Sequence, residues 1–188
     1  MDTQVNLPAS AHGRVYVGER SEGAKYPTVM IDDDQGVRPL PICPHHAGTK
    51  LDWAADRGAA KELARAIASD LTGITSPSLL CALQGAYASL ADTLFACQPQ
   101  DSLRITADEA WAALTARIHP AVLRRLQLEQ AEATLVSRAL QRRVEAPDLA
   151  AFADAFEALE ALDSGWGTPA TRFAFRMFGE DRRRPVAA

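Results

Sequence analysis

The apolar residues between positions 57 and 73 repeat at the spacing of an α-helix. Leu63, Ile67 and Leu71 recur every four residues with alanines beside them, and the charged residues fall outside this stripe. Asp56 can accept hydrogen bonds from the first-turn amides as an N-cap, and Gly73 ends the helix because glycine adopts the left-handed conformation without strain. The pattern predicts one central helix, whose alanines allow close packing against a sheet.

The residues before this helix alternate in the manner of short strands. Segments 14–19, 26–31 and 37–42 favour β structure, and an acidic turn at 32–36 joins the last two. Pro39 and Pro41 cannot donate a hydrogen bond to a neighbouring strand, so the third segment is at most an edge strand. We therefore predict a small antiparallel meander.

Apolar stripes at spacings of three and four predict further helices after the central one. The T-A-D-E sequence from Thr106 to Glu109 has the spacing of a capping box and begins one of them. A short strand at Leu103 and Ile105 precedes this box. The predicted helices span residues 77–97, 106–118, 121–143 and 147–164, and a late strand spans 171–177.

Together these elements predict an α+β fold. A small antiparallel sheet packs on the central helix, Ala60–Leu71, within a small α+β domain of residues 1–118. Residues 119–188 form a helical extension with a final strand, packed on the first part. The boundary lies at His119, because the residue before a proline avoids helical angles.

Composition and charge narrow the function classes. The chain has 188 residues, of which 47% are hydrophobic and 23% charged, as in soluble globular proteins. Its net charge is -4, so the chain lacks the overall positive charge that is typical of nucleic-acid-binding proteins. The three cysteines have no framework spacing, and the sequence shows no signal peptide or membrane-spanning segment. We expect a cytoplasmic protein with free thiols.

Cys43, His45 and His46 form the only cluster in the sequence with metal-ligand residue types. A zinc site needs about four ligands, and the other histidines and cysteines are scattered, so we expect no metal. No nucleophile–base arrangement, phosphate loop or dinucleotide motif is present, so we expect no catalytic residue and no cofactor. A small enzyme or metal-binding protein centred on these three residues stays open as an alternative.

The first 118 residues carry several features in a fixed order. A short strand with a tyrosine, a second strand and a histidine-containing loop come first. A tryptophan, a turn and an L-A-x-A-I helix follow, and then a second helix and a short strand ending in threonine. The residues are R-V-Y-V-G at 14–18, Val29, His45 or His46, Trp53, Leu63-Ala64, Ala66-Ile67, Tyr87 and Ile105-Thr106.

In this order the segment resembles a small bacterial and phage family, domain-of-unknown-function family 6166. The tryptophan turn of the family is similar to W-G-Y-G-G-S-G-P, whereas this chain has W-A-A-D-R-G-A-A at 53–60. The missing glycines argue against a use in which the backbone approaches a ligand closely. The resemblance brings no known activity, but family members look like cargo of phages and plasmids. It therefore implies a role in interaction or counter-defence.

Two sets of surface residues are candidates for binding. Acidic elements can meet a basic partner, and electrostatics then sets the association rate. Arginines at the end of the long helix can contact nucleic acid, although the overall charge argues against direct binding. The partner-binding candidates are Asp32, Asp33, Asp34, Trp53, Asp56, Arg57, Asp154, Glu157 and Glu160, and the nucleic-acid candidates are Arg138, Arg142 and Arg143.

The sequence thus predicts a non-catalytic protein-interaction protein of the mobile-element type. Its partner is expected to be a protein and not a membrane, for example a host nucleic-acid-handling defence complex such as a CRISPR effector, which it would inhibit. The alternatives are the enzyme or metal-binding protein centred on Cys43 and a nucleic-acid binder that uses the arginines. The sequence leaves the oligomeric state open.

Overall fold

A computed structural model of the chain describes residues 6–21, 26–42, 50–54, 57–140, 150 and 154. The described elements form an α+β fold with a helical C-terminal part, as predicted. The chain divides into two compact units, of which the larger is Gln4–His119. This unit contains a four-stranded antiparallel sheet and four of the described helices. The second unit contains one long described helix.

The sheet is built from β1 (Val15–Glu19), β2 (Thr28–Asp33), β3 (Gly36–Pro39) and β4 (Ser102–Thr106). Its order is β3-β2-β1-β4, and every neighbouring pair is antiparallel. The meander of the first three strands is confirmed, and β3 lies at an edge, as its prolines require. The later strand β4 pairs with β1 on the side opposite β2.

The central helix α1 spans Arg57–Thr72 and is the most deeply buried element of the larger unit. Leu63, Ile67 and Leu71 are almost fully buried, so the predicted stripe is core. On the sheet, Tyr16 lies directly opposite Ile31 on one side and Ile105 on the other, and all three are buried. These side chains form the face of the sheet that the helix covers.

The predicted helix at 77–97 is wrong as a single element. The structure has α2 (Pro77–Ala82), α3 (Gln84–Leu94) and a 3-10 turn (Phe95–Cys97). The break falls at Leu83, whose φ of -90° and ψ of 3° leave the helical region. The turn buries both Leu80 and Leu83, and α3 then packs between α1 and α4 (Ala107–Thr115).

The predicted capping box at the start of α4 is confirmed. The Thr106 hydroxyl accepts from the Glu109 amide at 3.2 Å, and the Thr106 amide donates to the Glu109 carboxylate at 2.8 Å. Two first-turn donors are therefore satisfied by two neighbouring side chains.

The long helix α5 spans Pro120–Leu140 and begins with proline at its first position, where the missing amide costs little. Leu123, Leu126 and Leu128 are buried, whereas Val136 is exposed. The predicted strand at 171–177 lies outside the described residues, as does most of the predicted last helix. The packing of the extension on the first part stays a prediction. Among the described helices, none combines the length and the apolar character needed to cross a bilayer.

Removing core side chains from α1 tests this architecture. Leu63→Ala or Ile67→Ala should lower the free energy of unfolding by about 2–5 kcal/mol, because both side chains are fully buried. Val37→Ala serves as the control, since Val37 is 63% exposed and its loss should cost less than about 0.5 kcal/mol. Urea titration followed by circular dichroism measures all three, and equal midpoints would contradict the assigned core.

Candidate functional site

A buried ion-pair cluster connects the sheet to α1. The Arg14 guanidinium donates from Nη1 to Asp70 Oδ2 at 2.6 Å and from Nε to Asp33 Oδ2 at 3.3 Å. Its Nη2 donates to the Ser10 carbonyl at 3.0 Å. Asp70 also accepts the Tyr16 hydroxyl at 2.6 Å. Each buried polar group named here has a hydrogen-bond partner, so the cluster fixes β1 and β2 on α1.

The Tyr16 hydroxyl acts in this cluster as a hydrogen-bond donor. Burial raises the pKa of Tyr16 far above its usual value, and the adjacent Asp70 carboxylate raises it further. The phenol therefore stays protonated at physiological pH, and its ring is fully buried. Both properties argue for a structural role and against a role as nucleophile or base.

The same cluster extends to the β2–β3 hairpin. Arg38 binds Asp33 with two parallel hydrogen bonds, Nη1 to Oδ1 at 2.6 Å and Nη2 to Oδ2 at 2.7 Å. The Gln35 amide also donates to Asp33 Oδ1, at 3.0 Å, which closes the turn. The bonds from Arg38 are the main reason why the pKa of Asp33 is lowered to about 2. The hairpin is therefore held rigidly against β1 and α1.

The pairing inside the cluster decides which charges remain for a partner. The charges of Arg14 and Arg38 balance those of Asp33 and Asp70. The other two acidic residues of the hairpin, Asp32 and Asp34, form no ion pair with a described residue. Asp32 lies directly opposite Val37 in the β2–β3 register. We call Asp32, Asp34 and Val37 the hairpin patch.

A second constellation surrounds Trp53, in the loop before α1. The Asp52 carboxylate is fully buried and accepts from Arg20 Nη2 at 2.7 Å and from the Ala54 amide at 2.9 Å. The Trp53 indole donates to the Pro99 carbonyl at 2.8 Å, and the Arg20 guanidinium lies 5.9 Å from the ring centroid. These contacts hold the loop against Arg20, directly after β1, and against Pro99, a few residues before β4.

The Trp53 ring also explains a glycine inside a strand. A Cβ on Gly18 would lie 2.7 Å from the ring and 3.1 Å from Leu103 Cβ, closer than atoms can approach without displacement. Glycine is therefore required at this position of β1 for the indole to cover the sheet. The ring itself is only 5% exposed. Trp53 accordingly offers a partner little surface.

An open cavity of about 470 Å³ lies beside this loop. Among the described residues it is lined by Arg20, Ala54, Gln100 and Asp101. The lining offers a guanidinium, a carboxylate and an amide, which can bind polar groups. This described lining contains no nucleophile next to a general base, so it does not support covalent catalysis.

The structure separates the predicted partner-binding residues. Asp33 and Trp53 are used inside the fold, whereas Asp32 and Asp34 belong to the hairpin patch. Arg57 is exposed at the start of α1, 3.9 Å from Asp92. The remaining described candidates, Asp154 and Arg138, lie in the second unit. Asp56, Glu157, Glu160, Arg142, Arg143, Cys43, His45 and His46 lie outside the described residues.

Sequence reasoning named Asp33 and Trp53 as candidates but missed the pairing of Arg14 with Asp70 and of Arg20 with Asp52. Arg14 directly precedes β1 and lies two residues before Tyr16, so both are on one face of the extended chain, and a polar residue on a buried face needs a partner. That signal was available, but it does not name the partner, since Asp70 lies 56 residues from Arg14. Within the described part of the chain, no group of three or more histidine, cysteine or acidic side chains could hold a metal ion.

Comparison with known proteins adds no assignment: no family model, curated protein or solved structure matches this chain. The resemblance to family 6166 therefore stays an expectation from the sequence.

The role of Gly18 can be tested by adding one methyl group. Gly18→Ala should destabilise the fold by about 1–3 kcal/mol, because the Trp53 ring occupies the space of the new Cβ. Gly85→Ala is the matched control, since its Cβ meets nothing within 4 Å, and should gain up to about 1 kcal/mol in helix α3. Denaturant titration measures the free energy of unfolding of both variants. If Gly18→Ala leaves it unchanged, the packing of the Trp53 ring against Gly18 is wrong.

The ion pairs of Asp33 with Arg14 and Arg38 predict that the stability of the fold depends on pH. The pKa of Asp33 falls from an ordinary 3.8 to about 2 on folding, so its ionisation stabilises the folded state above 3.8. This contribution is lost as pH falls through about 2. Asp33→Asn should therefore lower the melting midpoint at pH 7, and its difference from wild type should shrink between pH 4 and pH 2.

Thermal melts at pH 7, 4 and 2.5 measure this difference. Asp34→Asn removes a neighbouring exposed carboxylate that has no ion pair in the described part of the chain, so it should follow wild type at each pH. If the difference in melting midpoint between wild type and Asp33→Asn stays constant down to pH 2.5, the ion pairs of Asp33 do not stabilise the fold as described.

Proposed function

We propose that the chain is a non-catalytic interaction protein of the mobile-element type, which binds a basic surface of a partner protein through the hairpin patch. The observation that carries this proposal is the chemistry of the patch. Two carboxylates without ion pairs in the described chain lie on a hairpin with Val37, which is 63% exposed. Interfaces commonly combine an apolar contact with surrounding polar groups.

The rigidity of the hairpin supports a role in binding. The two hydrogen bonds from Arg38 and the bond from Arg14 hold the Asp33 side chain, and the Gln35 amide closes the turn. A segment that is ordered before binding loses less conformational entropy when it meets a partner. The hairpin patch is therefore presented in one geometry and needs no coupled folding.

The charge of the patch indicates the chemistry of the partner. Carboxylates that form no ion pair in the described part of the chain favour a basic surface, and complementary charge raises the association rate and the specificity. Proteins that handle nucleic acid carry basic surfaces because they neutralise phosphates. A host nucleic-acid-handling defence complex, such as a CRISPR effector, fits this description. The choice of this class also rests on the resemblance to phage and plasmid proteins.

The test begins with affinity capture of the tagged chain from a nuclease-treated bacterial lysate, read by mass spectrometry. Capture alone does not decide, so the identified partner is purified and its affinity for a triple variant, Asp32→Asn, Asp34→Asn and Val37→Ser, is measured. We expect a dissociation constant at least about tenfold weaker, or about 1.4 kcal/mol. The association rate of the wild type should fall with added salt, and less so for the variant.

A matched control changes the same residue types elsewhere. The triple variant Asp92→Asn, Asp108→Asn and Val136→Ser removes two exposed carboxylates and one exposed valine, and should bind like wild type. Equal affinity of both triple variants would remove the hairpin patch as the binding surface.

Two further results would overturn the proposal in favour of its alternatives. If the captured material disappears with nuclease, and purified chain binds DNA or RNA in a way that weakens with Arg138→Ala, the chain is a nucleic-acid binder. If Cys43→Ala, His45→Ala and His46→Ala together abolish function while the fold persists, the chain is an enzyme or metal-binding protein.

A further inference from the structure

The open cavity of about 470 Å³ lies at the end of the sheet that is remote from the hairpin patch. Its lining residue Arg20 follows directly after β1, and the lining residues Gln100 and Asp101 come just before β4. The hairpin lies at the other end of β1, because Val15 at the start of that strand pairs with Asp32. The cavity and the hairpin patch are therefore separate surfaces.

The Arg20 guanidinium is held in a fixed orientation at the cavity. Its Nη2 donates to the buried Asp52 carboxylate at 2.7 Å, and its Nε donates to the Gln100 carbonyl at 3.3 Å. The group also lies 5.9 Å from the centroid of the Trp53 ring. Its Nη1 forms no hydrogen bond with a described residue. Since a guanidinium carries its donors in one rigid plane, the direction of the unused donors is set before a ligand arrives.

Asp101 places a charge of the opposite sign on the same cavity. Its carboxylate is exposed and accepts from the Ser102 hydroxyl at 3.3 Å. In the described part of the chain, Arg20 forms its ion pair with Asp52 and not with Asp101. The cavity therefore presents a cation and an anion that are not paired with each other.

These charges determine which class of small molecule fits. A simple anion would be attracted to Arg20 but repelled by Asp101, and Asp52 already offsets part of the charge of Arg20. A simple cation would be attracted to Asp101 but repelled by Arg20. A molecule that carries a carboxylate and an ammonium group can meet both side chains with charge-assisted hydrogen bonds, which are stronger than neutral ones.

We propose that this cavity binds a free amino acid, with the carboxylate of the ligand on Arg20 and its ammonium group on Asp101. The Gln100 side-chain amide can donate to the same ligand carboxylate. The cavity volume lies within the range of about 300–1,000 Å³ that is usual for small-molecule sites. The charged groups select the backbone of the amino acid, and the open side of the cavity accommodates its side chain.

This inference does not rest on the proposed function, because it uses none of the hairpin residues. The first test titrates the common L-amino acids one at a time into the full-length chain by isothermal calorimetry. We expect at least one of them to bind with a dissociation constant below about 1 mM.

The tightest amino acid is then compared with two truncated analogues. One analogue is the corresponding amine without the carboxylate, and the other is the corresponding acid without the amino group. Each analogue should bind at least about tenfold more weakly than the amino acid, because it loses one of the two charged contacts. This comparison uses the wild-type protein, so it does not depend on whether a variant folds.

Asp101→Asn tests the ammonium contact, since it removes the charge while keeping the size of the side chain. Affinity for the amino acid should fall at least about tenfold, whereas affinity for the analogue without the amino group should not fall. Asp34→Asn is the matched control: it changes an exposed aspartate beside the hairpin turn and should bind the amino acid like wild type.

Arg20→Lys tests the carboxylate contact. Lysine keeps the positive charge but lacks the planar set of donors, so the amino acid should bind more weakly and the amine analogue should not. Circular dichroism melts check that each variant is folded. In wild type, the NMR signal of the Trp53 indole N–H should shift when the amino acid is added, because Arg20 lies over that ring.

Each outcome decides for or against the amino-acid site. Binding that requires both charged groups of the ligand, and that weakens with Asp101→Asn but not with Asp34→Asn, supports it. The proposal is overturned if no amino acid binds or if either analogue binds as tightly as the amino acid. It is equally overturned if Asp101→Asn leaves the affinity unchanged.

Discussion

The fold of the larger unit depends on one carboxylate, that of Asp70. It receives hydrogen bonds from Arg14 and Tyr16 at 2.6 Å each, and thereby joins the first strand of the sheet to the central helix. Removing one member of a buried charge pair leaves an uncompensated charge, whereas replacing all members with apolar residues can be neutral. We therefore interpret the cluster as fixing one orientation of the sheet on α1.

This anchoring reaches the surface through Asp33. Arg14 binds Asp33 from inside the fold and Arg38 binds it from β3, so the hairpin is tied to the same cluster as the helix. The internal charges balance, and what remains outward is the pair Asp32 and Asp34 beside Val37. The composition of the hairpin patch is thus a consequence of how the interior is paired.

The sheet has a second constraint at its opposite side. Gly18 admits the Trp53 ring, and the ring, Arg20 and Asp52 fasten the loop before α1 to β1 and the residues before β4. Beyond that point, Gln98 accepts a hydrogen bond from the Arg104 amide of β4, and Glu109 accepts one from the Thr106 amide. Side chains from loops and from the start of a helix therefore supply hydrogen bonds that the four short strands do not make among themselves.

The sequence alone determined the elements that depend on local chemistry. The stripe of Leu63 and Ile67, the capping box at Thr106 and the edge position of the proline-containing strand follow from neighbours a few residues apart. The break at Leu83 was not predicted, because the helical periodicity of the sequence continues across it. The burial of Leu80 and Leu83 favours the turn in the folded protein. The sequence alone did not distinguish the roles of Asp32, Asp33 and Asp34.

Only the tertiary structure decided which of these aspartates is internal and which can meet a partner. Arg14 binds Asp33 and Asp70, which are separated from it by 19 and 56 positions in the sequence. Trp53 binds Pro99 across a separation of 46 positions. Spacing along the chain carries no information about such contacts, because they form only when the sheet and α1 pack together. Local patterns fix the elements, and long-range pairing of buried polar groups fixes the surface that is left for function.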